Sequence, residues 1–142
     1  IIGSTLPQTL DATDIGIVIP DGRILYCHDT LDPILFDPAT GQRSFPASSG
    51  LHQGCMNVTL LEDGSAFFVG GQDSGNFRDA TRMVKVWSSS SGWRRLADLL
   101  NLRGRWYPGL ARLADGDLLA FGGGQRPDAA RTNTCEIFDQ LT

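Results

Sequence analysis

Residues 63–71 read Asp-Gly-Ser-Ala-Phe-Phe-Val-Gly-Gly, and residues 115–123 read Asp-Gly-Asp-Leu-Leu-Ala-Phe-Gly-Gly. An Asp-Gly pair beside short apolar runs predicts a tight β-hairpin turn, because glycine accepts a positive φ without steric cost. Cys55 and Tyr107 each lie eight residues before the Asp-Gly pair of their own copy. A cysteine and a tyrosine therefore hold the same place in two consecutive copies of one repeat.

The repeat occurs a third time at Asp21-Gly22, so the Asp-Gly pairs are 42 and 52 residues apart. Four short β-rich runs with Gly-Gly after the second, at a period near 50 residues, are typical of a kelch-type propeller blade. We expect an all-β, kelch-type β-propeller segment of about three four-stranded blades, over 14–50, 56–103 and, incompletely, 108–142, from a seven-bladed propeller. A β-sandwich with coincidental turns is the alternative.

The overall composition and charge limit the classes of protein to which the chain can belong. The chain has 142 residues, of which 41% are hydrophobic and 20% charged, which is typical of a globular domain. A net charge of −4 without a basic stripe argues against nucleic acid as a partner. No apolar run approaches the roughly 20 residues that a membrane-spanning helix needs. Because a propeller closes with about four blades or more, we expect a fragment of a longer polypeptide.

The repeat predicts a meeting point for two reactive side chains. In a propeller blade the first strand is innermost, and the residue before it lies near the axis on one face. Cys55 and Tyr107 occupy that place in neighbouring copies, and Thr13 is the equivalent in the first copy. The fold alone therefore predicts a thiol and a phenol close together at a channel mouth, where functional sites are common.

The flanking residues suggest a family. Arg105-Trp106-Tyr107-Pro108, followed by Asp-Gly and Gly-Gly, resembles a segment of the galactose oxidase and glyoxal oxidase family. Gly54-Cys55 with its own Asp-Gly and Gly-Gly resembles a second segment, and the resemblance extends from about residue 14 to residue 139. It implies a secreted copper radical oxidase, which oxidises small aldehydes or primary alcohols with dioxygen and releases hydrogen peroxide.

The resemblance also implies roles for residues. Cys55 and Tyr107 would be joined by a thioether bond, and Tyr107 would ligate copper and hold an oxidised radical. The family's other copper ligands, a Tyr-His pair and a further His, would lie outside this chain, in the rest of its own propeller. The segment alone is then expected to be inactive and to bind copper weakly. His28 and His52 match none of the ligand positions and are interpreted as surface or hydrogen-bonding residues.

Several residues leave alternatives open. Trp106 is either a core residue or a lining of the site, and Arg105 is either a structural ion-pair partner or a group that reaches into the channel. Gly54 and Asn57 depart from the family's pattern around Cys55, and no Trp follows Gly-Gly-Gly at 122–124. The missing Trp favours the glyoxal oxidase side of the family or an inactive relative.

Two other functions compete with the oxidase. The changes around Cys55 motivate a non-catalytic extracellular kelch propeller, used for binding or structural assembly. An intracellular kelch adaptor is a third hypothesis, which would keep its cysteines reduced. The chain has three cysteines, and Cys27 and Cys135 fall in copies too far apart to pair. Asn57-Val58-Thr59 is a glycosylation sequon that hints at a secreted protein.

Overall fold

The computed structural model describes residues 15–27, 33–47, 53–73, 76–124 and 132–139. All regular elements in these ranges are β-strands, and they form four antiparallel sheets, which confirms the all-β class. No helix in the described ranges has both the length and the apolar character to cross a bilayer. Thr13, His28 and His52 lie outside the described residues.

Three of the sheets follow the three copies of the repeat, with sequential antiparallel neighbours. The first sheet contains β1 (Ile15–Val18), β2 (Ile24–Cys27), β3 (Ile34–Phe36) and β4 (Arg43–Ser44). The second sheet contains β6 (Asn57–Leu60), β7 (Ala66–Val69), β10 (Val84–Ser88) and β11 (Gly92–Arg95). The third sheet contains, in the described ranges, β12 (Gly109–Arg112), β13 (Leu118–Phe121) and β14 (Cys135–Phe138).

A small sheet was not expected from the sequence. It contains β5 (Gln53–Gly54), β8 (Gln72–Asp73) and β9 (Asn76–Ala80), in that order. The β8–β9 hairpin is inserted between the second and third strands of the second sheet. These strands are polar and lack an apolar alternation, so the periodicity gave no signal. The insertion explains why the second Asp-Gly spacing is longer than the first, and it ties the segment before Cys55 to the segment after Gly71.

The Asp-Gly pairs form the same turn in all three copies. In each, the glycine N–H donates to the carbonyl of the residue three positions earlier, at 2.9, 3.0 and 3.1 Å for Gly22, Gly64 and Gly116. Each aspartate Oδ1 accepts the N–H two residues further on, and each glycine has a φ between 81° and 100°. The aspartates are therefore turn formers, as the sequence predicted, and the same two hydrogen bonds recur in each copy of the repeat.

The second sheet is buried on both faces. Side chains of β7 alternate, so that Ala66 and Phe68 pack with the first sheet while Phe67 and Val69 pack with the third. All four are at most 1% exposed. At one end of the stack, β6 lies beside both β1 and β12, so the first strands of the three sheets are neighbours. The three sheets are thus stacked face to face, with their first strands together.

The core between the first and second sheets contains the chain's only lysine. Lys85 on β10 is 3% exposed, and its Nζ lies 4.6 Å from the centroid of the Trp93 ring. Burial lowers the pKa of Lys85 to about 8, and burial raises the pKa of the Cys27 thiol in the same core to about 12. Trp87 and Trp93 pair across the β10–β11 hairpin and pack in this core.

Lys85 is expected to make stability depend on pH. The unfolded chain keeps the lysine proton up to its ordinary pKa of 10.5, whereas the folded protein releases it above about 8. Between these values the unfolded state binds more protons, so the free energy of unfolding rises with pH, by up to about 3 kcal/mol. Cys27 has the opposite effect: above its ordinary pKa of 9.0 it lowers the free energy of unfolding as pH rises, because the folded protein keeps the thiol proton up to about pH 12.

Chemical denaturation of wild type and Lys85→Met between about pH 8 and pH 10.5 isolates this effect. A Cys27→Ala background removes the opposing thiol from both proteins. The stability of the lysine-containing protein, relative to Lys85→Met, should rise steadily across this window. A difference that stays level across it would show that Lys85 titrates normally in the folded state.

Candidate functional site

The structure brings Cys55 and Tyr107 together. The backbone N–H of Tyr107 donates to the carbonyl oxygen of Cys55 at 2.8 Å. Cys55 directly precedes Met56 and β6, and Tyr107 precedes Pro108 and β12, so both lie where the chain enters the first strand of a sheet. Cys55 is buried at 8% exposure, and Tyr107 is 58% exposed. A thiol in the protein interior thus lies beside a phenol that is open to solvent.

Both residues have a strained backbone. Cys55 has a φ of 54° and Tyr107 a φ of 49°, and among the described residues no other non-glycine residue has a positive φ. Residues with a side chain rarely adopt this left-handed conformation, which costs about 1–3 kcal/mol each. For Tyr107 the strain is greater, because a residue before proline is restricted to extended conformations. The surrounding structure must therefore impose this geometry at both positions.

The strained conformation of Tyr107 is maintained by the backbone hydrogen bonds of the chain segment that contains it. We call residues 105–107 the junction segment. The Arg105 carbonyl accepts the Gly71 N–H at 2.7 Å, and the Arg105 N–H donates to Thr81 at 3.0 Å. Trp106 exchanges two hydrogen bonds with Gly124, at 2.7 and 2.8 Å. Successive peptides of the junction segment are thereby tied to the second sheet, the third sheet and Cys55.

The Gly-Gly pairs that follow the second strands allow backbones to approach one another closely at the site. A Cβ on Gly71 would overlap the carbonyl oxygen of Gly54, the residue before Cys55. A Cβ on Gly123 would lie 3.0 Å from the carbonyl oxygen of Trp106. Both glycines also have a positive φ, of 100° and 87°. The glycines that predicted the repeat are therefore required for the close approach of the backbones at the site.

Trp106 packs beside the phenol. Its ring centroid lies 4.8 Å from that of Tyr107, with the ring planes inclined by 55°. The indole is half-buried, and its Nε1 has no hydrogen-bond partner among the described residues. The structure thus places the Trp106 ring against the Tyr107 ring, and its interpretation as a lining of the site stays a prediction.

Asn57 also contributes a contact where the chain segments of Cys55 and Tyr107 meet. Its Nδ2 donates to the carbonyl oxygen of Pro108 at 3.0 Å. The amide of the predicted sequon is therefore engaged in a hydrogen bond between neighbouring sheets. The bond joins the residue two positions after Cys55 to the residue after Tyr107. One departure from the family's pattern thus contributes a contact to the meeting of the two chain segments.

Arg105 is the largest fully buried residue described, with 0% exposure. Its guanidinium forms an ion pair with Glu136 at 2.9 Å and donates to the carbonyls of Gly122 and Thr134 at 2.8 and 2.9 Å. These contacts favour the structural ion-pair interpretation of Arg105, which sequence analysis left open. Neither Glu136 nor Thr134 was singled out from the sequence, because both lie about thirty residues away along the chain.

Within the described ranges, no group of three or more His, Cys, Asp or Glu side chains is arranged to hold a metal ion. No disulfide joins the three cysteines, and Cys27 and Cys135 lie on different sheets, as predicted. A cleft of about 270 Å³ between the second and third sheets is lined mainly by aliphatic and aromatic side chains, with Arg94 and Asp139 also present.

The fold and site define an all-β protein of stacked antiparallel sheets, in which a cysteine and a tyrosine meet at the start of adjacent first strands. A scan against protein-family models gives no match to this chain, and a search of curated proteins gives none either.

Proposed function

We propose that this chain is part of a kelch-type β-propeller in a secreted copper radical oxidase that acts on small aldehydes or primary alcohols. The observation that carries the proposal is the meeting of Cys55 and Tyr107, both held in left-handed conformations. Strained residues of this kind cluster at functional sites, where the surrounding structure maintains them at a cost. The residues that resemble the oxidase family, 105–108 and 54–55, are the residues that form this junction.

The stacking of the sheets supports the propeller. Blades of a propeller are four-stranded antiparallel sheets that pack face to face around a channel. The second sheet has four strands and is covered on both faces, and the first strands of three successive sheets are neighbours. A β-sandwich has two sheets facing one another, whereas here one sheet lies between two others. The radial arrangement of blades accounts for this order.

The residues present fit one part of the expected metal centre. Tyr107 would hold copper through its phenol, which is exposed and therefore accessible to a metal ion. Phenolate and imidazole ligands suit copper(II) in a tetragonal geometry. Within the described ranges no group of three or more His, Cys, Asp or Glu side chains is arranged to hold a metal ion, and we propose that the remaining copper ligands come from other parts of the full-length polypeptide. When bound, copper supplies one-electron redox chemistry.

The chain's own contribution is to hold a second one-electron store beside the metal. Oxidation of an alcohol or aldehyde removes two electrons, and copper alone accepts one. A sulfur substituent on the Tyr107 ring donates electron density, which makes oxidation of the phenol easier. Cys55 is the thiol placed to supply that sulfur, and its burial limits access of other oxidants to it. The Trp106 ring packs beside the Tyr107 ring, with the ring centroids 4.8 Å apart.

Hydrogen peroxide formation tests the proposed function. The full-length protein, loaded with copper and supplied with small aldehydes or primary alcohols in air, is expected to produce peroxide. Tyr107→Phe should lower the rate by at least about 1,000-fold, as when a group that takes part in the chemistry is removed. Tyr26→Phe is the matched control, because Tyr26 is the only other tyrosine of the chain and lies on β2.

The control should retain the wild-type rate. Wild-type protein that binds copper but produces no peroxide from any of these substrates would favour the non-catalytic propeller. Equal rates for wild type and Tyr107→Phe would remove Tyr107 from the chemistry.

A further inference from the structure

We infer that the buried Arg105–Glu136 pair is a positioning device, which holds Tyr107 in the conformation needed for cross-linking to Cys55. The inference rests on the proposed function, since it concerns the formation of the thioether. The guanidinium of Arg105 donates to residues of the third sheet and its connecting segments, and Arg105 acts on Tyr107 through the backbone of the junction segment.

The guanidinium is saturated with partners from the third sheet and its connecting segments. Its Nη1 donates to the carbonyls of Gly122 and Thr134 at 2.8 and 2.9 Å. Its Nη2 donates to Thr134 Oγ1 at 3.1 Å and to Glu136 Oε1 at 2.9 Å, and its Nε donates to the same carboxylate oxygen at 3.3 Å. A planar group with several fixed donors holds its own backbone in one orientation, which a lysine could not do as well.

Glu136 extends the same network to the chain before the junction segment. Its Oε2 accepts the backbone N–H groups of Leu100 and Asn101, at 2.5 and 3.3 Å. Asn101 Nδ2 in turn donates to Thr134 Oγ1 at 2.5 Å. The carboxylate therefore binds residues 100 and 101 with one oxygen and Arg105 with the other. Both sides of the loop that leads to Tyr107 are fixed to β14.

Tyr107 needs such a constraint because its own preference opposes the observed geometry. A tyrosine before a proline favours an extended backbone, whereas Tyr107 has a φ of 49°. A rotation at Tyr107 toward the extended region would redirect its side chain away from the observed position. Arg105 lies two residues earlier, and its backbone is hydrogen-bonded to Gly71 and Thr81. The side chain and backbone of Arg105 together fix the start of the segment that carries the strain.

The cross-link itself removes two hydrogens. The S–H bond of Cys55 and one ring C–H bond of Tyr107 are broken, and one S–C bond forms between them. The two electrons and two protons pass to dioxygen, which is reduced to hydrogen peroxide. The rate of such a step depends steeply on the relative position of the reacting atoms, and misplacement by about 1 Å can cost roughly 100-fold.

The rate of cross-linking tests the role of Arg105. Full-length protein is prepared without copper under reducing, anaerobic conditions, and copper(II) and air are then added. Samples taken over time are digested with trypsin, which releases Cys55 in peptide 44–78 and Tyr107 in peptide 106–112. The linked pair is two hydrogens lighter than the sum of its parts. In Arg105→Met the tyrosine peptide begins at residue 104 instead.

Arg105→Met is expected to cross-link roughly ten to a hundred times more slowly than wild type, with Arg105→Lys between the two. Arg95→Met is the matched control, because it removes an exposed ion pair with Asp98 on the second sheet. The control should react at the wild-type rate. Circular dichroism at the reaction temperature establishes that each compared variant is folded.

Each outcome supports or overturns one claim. Folded Arg105→Met that cross-links at the wild-type rate would overturn the positioning role and leave the proposed function intact. If Arg105→Met does not fold, a folded Arg105→Lys with the wild-type rate would overturn it equally. Wild type that never cross-links would instead remove the proposed function, and the positioning role with it.

Discussion

Gly71→Ala is expected to destabilise the fold by roughly 3 kcal/mol and to move Cys55 from its place. Gly71 has a φ of 100°, which costs a residue with a side chain about 1–2 kcal/mol. The added Cβ would also overlap the carbonyl oxygen of Gly54, and overpacking of this kind costs a further 1–3 kcal/mol or so. Relief of the overlap requires a shift of the Gly54–Cys55 backbone, so cross-linking should slow as well.

Gly22→Ala separates the cost of the positive φ from the cost of the steric overlap. Gly22 has a similar φ of 88°, but a Cβ there would meet no atom within 4 Å. It should therefore show the conformational cost alone, about 1–2 kcal/mol, with normal cross-linking. Urea denaturation of both variants measures the difference. If Gly71→Ala and Gly22→Ala lost the same stability, close approach at the junction would not be a constraint.

Phe67→Ala is expected to cost about 4 kcal/mol, because truncation of a fully buried phenylalanine removes apolar contacts and leaves a cavity. Phe67 is 1% exposed and lies in the core between the second and third sheets. Its ring also meets that of Phe138 edge to face, with centroids 5.1 Å apart, which adds about 1 kcal/mol. A loss of this size is a large part of the stability of an ordinary domain.

Phe45→Ala is the matched control for the core. Phe45 is 69% exposed and should lose no more than about 0.5 kcal/mol when truncated. Phe67→Leu, which keeps most of the apolar volume, should fall between the two variants. Denaturant unfolding of all three gives the order. Equal losses for Phe67→Ala and Phe45→Ala would show that the second and third sheets do not share a core.

The strands of the three repeat copies were predictable because each depends on local signals. The Asp-Gly turns at residues 21, 63 and 115 form as the sequence indicated, since aspartate and glycine both favour that turn through local interactions. The β8–β9 hairpin was missed because it lacks apolar alternation. The 52-residue spacing between the second and third Asp-Gly pairs, longer than the first spacing of 42, was nevertheless a sign of inserted chain. Ser74-Gly75, between the two strands, was a further turn signal in that region.

The candidate site was predictable only in part. The equal offsets of Cys55 and Tyr107 placed them in adjacent copies, and the structure joins their backbones. Their left-handed conformations could not be foreseen, because cysteine and tyrosine carry no preference for a positive φ and Pro108 disfavours it. The burial of Arg105 could not be foreseen either, since its partner Glu136 is set by tertiary packing across 31 residues.

The most direct measurement is a peptide map of the full-length protein after treatment with copper(II) and air. We propose that Cys55 and Tyr107 form one site at the junction of two sheets. We therefore expect a species that joins peptides 44–78 and 106–112 and is two hydrogens lighter than their sum. Fragmentation should place the bond between Cys55 and Tyr107. Recovery of the two peptides entirely unlinked from copper-loaded, aerobic protein would contradict the claim.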